Sequence, residues 1–324
     1  MTRRIAITGA NIGIGLRAAT ALAGAGHQVL ALCRDLDRAR AAYAGLPEDQ
    51  QARIEPVELD LAAPASIRAA AEQIVAAGPL DALINNAAVF DQSVRTARIT
   101  AAGHELFWAT NHLGPVELTA RLSPALAAAP QPRVVFVASK GLVTMPRLAI
   151  RFEELDQPTW FTPTRAYYHA KLAQVMTAVT LAERVGDVLD VSCLRVPAVR
   201  LDPVRLAAQP RLLRALYAPK NHLAARPEQI AGVYAQLVLA APRHARGADS
   251  YVDERLHPVP LPRAARNAAQ RDRLWAVTQV AIGDPPWAWT DAGVPAREAP
   301  PRLGLHPARW TDERTPPMTP GHHS

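Results

Sequence analysis

Cysteines, lysines and long apolar runs are scarce in this chain. Its 324 residues include two cysteines, Cys33 and Cys193, and both lie in short apolar runs that are typical of buried strands. We therefore expect two free core thiols rather than a disulfide or a metal site. No stretch approaches the roughly 18 uninterrupted apolar residues of a transmembrane helix, and no apolar leader precedes the first strand-like run. These features favour a cytoplasmic protein that makes no membrane contact.

Clusters of basic residues are also lacking, although the formal net charge is +7. Lys140, Lys171 and Lys220 are the only lysines, the arginines are dispersed, and no run of five basic residues occurs. No basic segment is interleaved with aromatic residues, which make up only 5% of the chain. Nucleic acid is therefore not an expected partner.

What the chain does contain is a regular alternation of apolar strand-like runs with alanine-rich helical patterns. Strands are predicted at Arg4–Thr8, Gln28–Cys33, Ile54–Leu59, Ala82–Asn85, Arg133–Ala138, Val191–Val196 and Ser250–Val252. Helices are predicted at roughly 14–25, 36–45, 64–77, 101–128, 165–185 and 227–241. Alternation of this kind favours right-handed βαβ units, and strands that are apolar throughout are typical of a parallel sheet covered on both faces. The sequence therefore predicts an α/β fold with one doubly wound parallel sheet of about seven strands and helices on both faces.

Two regions interrupt this alternation. Residues 140–164 form a long connection after the fifth strand, where open α/β sheets commonly bind ligands. Residues 283–324 hold nine prolines and three tryptophans, Trp287, Trp289 and Trp310, a composition that excludes regular helix. This C-terminal extension either packs partly on the domain or on a partner subunit through its tryptophans, or is fully disordered. The predicted domain therefore spans 1–282.

Three glycines follow the first strand within the stretch Thr8-Gly9-Ala10-Asn11-Ile12-Gly13-Ile14-Gly15. A strand that breaks into glycines and continues as a helix lets backbone N–H groups approach a pyrophosphate, beside the positive end of the helix dipole. A tight turn with only a structural role is the alternative. Within the alternating pattern, the turn favours a Rossmann-type dinucleotide-binding domain.

Tyr167 and Lys171 lie four residues apart at the start of a predicted helix, so both side chains share one face. A phenol is a weak acid with an unperturbed pKa of about 10. A cation one turn away is expected to lower that pKa towards the working pH. The alternative is a chance pair on a solvated helix, which the scarcity of lysine disfavours. Tyr168 is a poorer candidate because the residue four positions after it is Leu172.

Two further polar residues lie where chemistry is expected. Ser139 follows the fifth strand at the sheet edge where substrates bind, and its hydroxyl can donate to a substrate carbonyl as charge develops on oxygen. A turn residue is the alternative interpretation. Asn111 lies within a predicted helix and is a poor helix former, so it either faces solvent or has a specific hydrogen-bonding task. The neighbouring His112 is expected to be structural.

Together these motifs resemble the short-chain dehydrogenase/reductase family. The matching residues are Thr8 to Gly15, Asp60-Leu61, Asn85-Asn86-Ala87-Ala88, Asn111, Ser139 and Tyr167-Tyr168-His169-Ala170-Lys171, in the order and spacing of the family over roughly residues 1–280. Cys33-Arg34-Asp35 and Ile150-Arg151-Phe152-Glu153-Glu154-Leu155 are similar to its retinol-dehydrogenase-like branch. The resemblance implies an oxidoreductase with a nicotinamide cofactor and no metal. It also implies a homodimer or homotetramer with the helices that carry Asn111 and Tyr167 at the interface.

The resemblance implies a role for each matching residue. Ser139 orients the substrate oxygen, and Tyr167 is the general acid in reduction or the general base in oxidation. Lys171 binds the nicotinamide ribose and lowers the pKa of Tyr167, while Asn111 holds a water that relays protons. The implied cofactor-binding residues are Gly9, Asn11, Ile12, Gly13, Ile14, Gly15, Arg34, Asp60, Leu61, Asn86, Ala87, Tyr167, Lys171, Pro197 and Val199. Among these, Asp60 meets the adenine and Asn86 supports the adenosine side.

The residues after the second strand indicate the cofactor preference. NAD enzymes usually place an acidic residue there for the ribose 2′-hydroxyl, whereas an arginine accommodates a 2′-phosphate. Arg34 comes first and Asp35 second, and the planar guanidinium of Arg34 can stack on adenine and pair with a phosphate. Arg17 and Arg38 can add charge. The sequence therefore favours NADP(H), with NAD as the alternative that Asp35 supports.

Three positions depart from the family pattern. Ala88 and Ala170 replace a glycine and a frequent serine, and both changes are mild. The third departure follows the sixth strand, where the family has Pro-Gly and then a threonine near the nicotinamide. Here Pro197-Ala198, or Val196-Pro197 after a shift of one residue, stands at Pro-Gly and no threonine follows. Nicotinamide contacts on that side are therefore expected to differ.

The main hypothesis is an NADP(H)-dependent carbonyl reductase, or the reverse alcohol dehydrogenase, acting on a hydrophobic small molecule. Its substrate loops are predicted near 141–164 and 200–225, where the side chains are largely apolar. The altered segment around Pro197 motivates an alternative, a redox-neutral cyclase, isomerase or dehydratase on the same fold. A non-enzymatic dinucleotide-sensing or interaction module is a third interpretation, which the complete set of Asn111, Ser139, Tyr167 and Lys171 disfavours.

Overall fold

The computed structural model describes residues 1–200 and 224–289, and these residues form the predicted α/β fold. Seven parallel strands form one sheet in the order β3-β2-β1-β4-β5-β6-β7. The strands are β1 Arg4–Thr8, β2 Gln28–Cys33, β3 Ile54–Glu58, β4 Ala82–Asn85, β5 Arg133–Ser139, β6 Asp190–Val196 and β7 Tyr251–Val252. Their bounds differ from the predicted ones by at most one residue at either end.

Helices cover both faces of the sheet. In the described part of the chain they are α1 Gly13–Gly24, α2 Leu36–Tyr43, α3 Glu48–Gln51, α4 Pro64–Ala76, α5 Leu106–Trp108, α6 Gly114–Ala127, α7 Pro163–Val185, α8 Pro227–Leu239 and α9 Ala268–Ala281. One apolar core joins α4, α6, α7 and α9 to the sheet, and a second joins α1, α2 and α8 to its other face. Alternate residues of each strand enter the two cores, as in β1, where Ala6 enters the first and Ile5 and Ile7 the second.

The strand order places a crevice near the middle of the sheet. The chain runs outward from β1 through β2 and β3 on one side, and from β4 through β5 and β6 to β7 on the other. The neighbours β1 and β4 therefore carry connections that leave in opposite directions, and their carboxyl ends border an open groove. The glycine turn follows β1, Asn86 follows β4 and Ser139 ends β5, so three of the predicted site segments meet at this edge.

The helix predicted at 101–128 begins later and is not regular. Residues 101–104 form turns in which Gly103 has a φ of +88°, and Glu105 caps the helix by accepting a hydrogen bond from Trp108 N at 2.9 Å. One wider turn, a π-helix over Ala109–Leu113, then separates α5 from α6. Wide turns of this kind often occur at functional sites. Asn111 lies inside this one.

The sequence did not predict helix α9, which packs against α7 and contacts the wide turn at Ala109–Leu113. Thr278 Oγ1 lies 2.9 Å from His112 Nε2, and Arg271 pairs with Glu183 at 2.6 Å. The first residues of the predicted extension follow α9, and two of its tryptophans, Trp287 and Trp289, are buried against the same core. The third tryptophan, Trp310, lies outside the described residues, as does the predicted substrate segment between 201 and 223.

Candidate active site

The glycine turn has the backbone that a bound pyrophosphate requires. Gly9 and Gly13 have φ angles of +67° and +59°, in the left-handed region that favours glycine. A Cβ at Gly15 would collide with the Gly9 carbonyl and lie 2.7 Å from Asn86 Nδ2, so the helix start fits against the strand end only without a side chain. Gly13 is exposed and has open space where a Cβ would lie. Asn11 and Ile12 complete the turn, and Ile14 lies in the first turn of α1.

Asn86 braces this turn from the neighbouring strand. Its Nδ2 donates to the Thr8 carbonyl at 2.8 Å, and its Oδ1 accepts from the Tyr234 hydroxyl of α8 at 3.0 Å. Ala87 N donates to Thr8 Oγ1 at 2.9 Å, and Ala87 packs against Gly9. The two predicted cofactor residues after β4 thus hold the glycine turn in place.

Arg34 and Asp35 follow β2 and differ in whether their side chains already have a partner in the protein. The Asp35 carboxylate caps α2 by accepting from Arg38 N at 2.8 Å. Arg34 is exposed, and its guanidinium makes no ion pair with any residue that the structure describes. Of the two further arginines considered, Arg17 pairs with Glu228 at 3.0 Å. Arg34 is therefore an exposed cation without an ion pair among the described residues at the position where a 2′-phosphate is expected, and Arg38 shares both properties.

Asp60 and Leu61 form the turn that follows β3. Asp60 Oδ1 accepts from Ala62 N at 2.9 Å, and Asp60 N donates to the Ser66 hydroxyl at 2.9 Å. Leu61 is buried directly under Gly114, where an added Cβ would lie 2.8 Å from the Leu61 Cβ. Asp60 thus stands at the sheet edge, whereas the Leu61 side chain is part of the core.

Asn111 has the specific hydrogen-bonding task that the sequence left open. Its side chain is fully buried, its Oδ1 accepts from Val89 N at 2.7 Å, and its Nδ2 donates to the Val89 carbonyl at 2.9 Å. The widened helical turn thereby ties α6 to the loop after β4. His112 is structural, as expected, because burial lowers its pKa to about 3 and keeps it neutral.

Ser139 and Tyr167 meet at the end of β5. Ser139 Oγ accepts from Gly141 N at 3.2 Å, and the ring of Phe90 lies 4.5 Å from that of Tyr167. Burial raises the pKa of Tyr167, Tyr168 raises it further, and a hydrogen bond with Ser139 acts in the opposite direction. The net shift of this pKa is therefore upward, and its lowering by Lys171 stays a prediction.

Lys171 directs its ammonium to partners other than Tyr167. Its Nζ lies 5.8 Å from the Tyr167 ring centroid and donates to the Val137 carbonyl at 2.7 Å and to Gln174 Oε1 at 2.8 Å. The side chain is 1% exposed, and burial lowers its pKa to about 8. An ammonium has three N–H donors, so one remains beyond these two acceptors.

Pro197 and Val199 lie where the chain leaves β6. Val199 forms a parallel bridge with Ala225, Arg200 N donates to the Ala225 carbonyl at 3.0 Å, and Ala225 N donates to the Ala198 carbonyl at 2.9 Å. The two ends of the segment 201–223 therefore lie side by side at the carboxyl edge of the sheet. No threonine follows Pro197 within the described residues up to Arg200, as the sequence indicates.

Three residues of this site were not found from the sequence. Phe90 stacks on Tyr167, Gln174 holds Lys171, and Tyr234 holds Asn86. The position of Gln174, three residues after Lys171, was a usable signal for contact on one helix face. Phe90 and Tyr234 carry no such local signal, because their partners are 77 and 148 residues away in the chain.

Comparisons with known proteins agree with this geometry. A family model for the short chain dehydrogenase matches residues 3–149. Dehydrogenase/reductase SDR family member 13 of Homo sapiens is 32% identical over 289 residues, which cover 87% of this chain and 73% of that protein. The chain belongs to the short-chain dehydrogenase/reductase family. Retinol dehydrogenase 14 of Mus musculus is 30% identical over 295 residues, covering 87% of this chain and 86% of that protein, so the chain is also retinol-dehydrogenase-like.

Solved structures share the fold of this short-chain dehydrogenase/reductase. A crystal structure of a protein from Mycobacterium paratuberculosis is 28% identical and superposes with a TM-score of 0.64, covering 88% of this chain and 94% of that one. L-sorbose reductase from Gluconobacter frateurii, in complex with NADPH and L-sorbose, is 24% identical with a TM-score of 0.60, covering 78% and 96%. Among the described residues, no helix is both long and apolar enough to cross a membrane.

Proposed function

We propose that the protein is an NADP(H)-dependent oxidoreductase that interconverts a carbonyl and an alcohol on a hydrophobic small molecule. The observation that carries this proposal is the meeting of two structures at one sheet edge. A glycine turn open to a pyrophosphate follows β1. Ser139 ends β5, and Tyr167 and Lys171 lie near the start of α7. Membership of the short-chain dehydrogenase/reductase family supports an oxidoreductase that uses a nicotinamide cofactor.

The residues present fit such a cofactor. Gly13 leaves open space beside the first turn of α1, so that N–H groups at the positive end of the helix can face a pyrophosphate. Asp60, to which the family resemblance gives the adenine contact, follows β3 at the carboxyl edge of the sheet. The third donor of Lys171 is directed to no described acceptor. When bound, the nicotinamide supplies the hydride acceptor in oxidation and the hydride donor in reduction.

Tyr167 is the residue that transfers the proton of the reaction. Because burial raises its pKa, the phenol stays protonated at neutral pH and suits a proton donor to a substrate carbonyl oxygen. The Ser139 hydroxyl beside it can donate to the same oxygen as charge develops there. With its proton in place at neutral pH, Tyr167 can act as the acid when a carbonyl is reduced.

The preference for NADP(H) rests on the two residues after β2. Asp35 is engaged as the cap of α2, so its carboxylate is less available for a ribose hydroxyl, whereas Arg34 is exposed and unpaired among the described residues. A guanidinium suits a 2′-phosphate by charge and by its planar fork. The NADPH found in L-sorbose reductase is consistent with this preference.

The hydrophobic substrate is supported by the aromatic surroundings of Tyr167. Phe90 is 45% exposed although it stacks on Tyr167, and Phe161 packs edge-on against Phe107 with their centroids 5.9 Å apart. An exposed phenylalanine beside a proton donor offers an apolar surface to a substrate. Two relatives are named retinol dehydrogenase, which is consistent with a hydrophobic substrate.

Replacement of Tyr167 tests the proposal. Wild-type protein is assayed with lipophilic ketones and alcohols, with NADPH and NADH in parallel. We expect Tyr167→Phe to lower kcat by about 10²- to 10⁴-fold, because the proton donor is lost, while the dissociation constant for NADPH stays near the wild-type value. Tyr168→Phe is the matched control and should keep most of the activity.

Two outcomes contradict the proposal. Full activity in Tyr167→Phe would exclude this phenol as the proton donor. Product formation by the wild-type protein without any change in absorbance at the nicotinamide band would instead favour the redox-neutral alternative.

A further inference from the structure

Two acceptors inside the protein hold the ammonium of Lys171. One is the Val137 carbonyl of β5 at 2.7 Å, which any residue at 137 would supply. The other is the side-chain oxygen of Gln174 at 2.8 Å, which depends on the residue type. Gln174 lies three residues further along α7, is fully buried, and shares a helix face with Lys171.

The described groups that surround the Lys171 ammonium are neutral acceptors and titratable groups, not carboxylates. The titratable groups around its ammonium are Tyr167 on the same helix and Cys193 on β6, and in the described part of the chain no carboxylate pairs with it. Burial lowers the pKa of Lys171 to about 8, and Cys193 opposes this shift. A buried ammonium without an anion depends on hydrogen-bond acceptors for its stability, so each acceptor matters.

We propose that Gln174 is a positioning residue that orients the Lys171 ammonium for the cofactor. Its oxygen and the Val137 carbonyl take two N–H groups and leave the third for a ribose hydroxyl. This inference rests on the proposed function, which gives Lys171 that partner. Gln174 itself acts only through Lys171.

The unsatisfied half of the amide supports this role. Gln174 Nε2 is buried and has no hydrogen-bond partner among the residues that the structure describes. A methionine or leucine would fill the same space without burying an unpaired hydrogen-bond donor, which is unfavourable. A glutamate would form a buried ion pair and fix the charge of Lys171. The neutral amide of Gln174 orients the Lys171 ammonium through a hydrogen bond and forms no ion pair that would hold Lys171 in its charged form.

Lysine NMR of the full-length protein tests the proposal, because the chain has only three lysines. With isotope-labelled lysine, each ammonium can be titrated separately, and Lys171→Met assigns the signal. We expect Gln174→Met to lower the pKa of Lys171 by about one unit and Gln174→Glu to raise it by at least as much. Thr180→Val is the matched control, since Thr180 is another buried residue of α7 whose hydroxyl has no described partner, and it should leave this pKa unchanged.

Binding of NADPH, followed by fluorescence titration, gives a second readout. Gln174→Met should bind NADPH about five- to tenfold more weakly, and Thr180→Val should bind it as the wild-type protein does. A lower melting temperature in Gln174→Met, with an unchanged pKa of Lys171 and an unchanged NADPH affinity, would overturn the proposal. Shifts of one sign in both the Met and the Glu variant would overturn it too. If the wild-type protein turns over no carbonyl or alcohol, the proposed function fails, whereas the lysine titration still decides the role of Gln174.

Discussion

Gly15 is a residue where one added methyl group should disturb the cofactor turn directly. In Gly15→Ala the new Cβ collides with the Gly9 carbonyl and lies 2.7 Å from Asn86 Nδ2, both of which belong to the braced turn. We expect the free energy of unfolding to fall by about 1–3 kcal/mol, as in other overpacked sites. The affinity for NADPH should fall at least tenfold, because the turn must open. Thermal unfolding and fluorescence titration measure the two effects.

Gly24→Ala is the control for this substitution, because Gly24 lies at the other end of α1. An added Cβ there meets only the Gln50 side chain, at 3.6 Å, which is ordinary contact. Alanine should leave cofactor binding unchanged and add up to about 1 kcal/mol of stability through helix propensity. Equal NADPH affinity in both alanine variants would contradict the role given to the glycine turn.

At this scale the sequence predicts best what depends on neighbours in the chain. The glycine turn, Ser139 and the pair of Tyr167 and Lys171 lie together at one sheet edge because spacing on a strand or helix fixes their direction. The direction of the Tyr167 pKa could not be obtained this way. It depends on burial and on the partners that Lys171 finds, and both are tertiary features.

The Tyr234 hydroxyl links helix α8 to the cofactor turn. Tyr234 is fully buried and donates to Asn86 Oδ1, and Asn86 in turn donates to the Thr8 carbonyl. Tyr234→Phe keeps the ring and removes this bond, so we expect a loss of about 1 kcal/mol of stability. NADPH affinity should fall about three- to tenfold, because Asn86 becomes free to turn away from the glycine turn.

Tyr251→Phe is the matched control for that loss. Tyr251 is equally buried but lies on β7, and its hydroxyl makes no hydrogen bond within the part of the chain that the structure describes. Its removal should leave the dissociation constant for NADPH unchanged. The link between α8 and the turn would be excluded if Tyr234→Phe bound NADPH as tightly as Tyr251→Phe does.

Elements differed in how well the sequence predicted them. Strands were predicted to within one residue because their apolar runs are short and end at polar or glycine residues. The wide turn at Ala109–Leu113 leaves no periodic signal, since it depends on Asn111 bonding to the loop after β4. Helix α9 was missed because its apolar residues do not form one stripe. It is stabilised by contacts with α7 and with His112 in the wide turn before α6.

For the whole molecule, α9 and the residues after it cover the face that the family resemblance assigns to subunit contact. Trp287 Nε1 donates to Gln279 Oε1 at 2.9 Å, and Ala288 N donates to the Ser123 hydroxyl of α6 at 2.8 Å. As a result α6 and α7 are buried on their outer as well as their inner sides. The helices that carry Asn111 and Tyr167 therefore have little free surface for a second subunit, and any self-association should use another face.

Trp287→Ala tests this covering role. We expect the free energy of unfolding to fall by about 3–5 kcal/mol. In sedimentation velocity, the variant should self-associate through the face that it exposes, and the wild-type protein should not self-associate through that face. Val280→Ala, near the end of α9, is the control because Val280 is 63% exposed, and it should change neither quantity. Hydrogen exchange that becomes slower in α6 and α7 as the wild-type protein is concentrated would contradict the prediction.

The bridge between Val199 and Ala225 has a consequence for how this enzyme can diversify. That bridge and its flanking hydrogen bonds hold Val199 and Ala225 beside each other next to β6. Changes in sequence between these two anchor points need not disturb the sheet. Because the sequence predicts substrate contacts between them, we expect such changes to alter substrate choice more than cofactor binding.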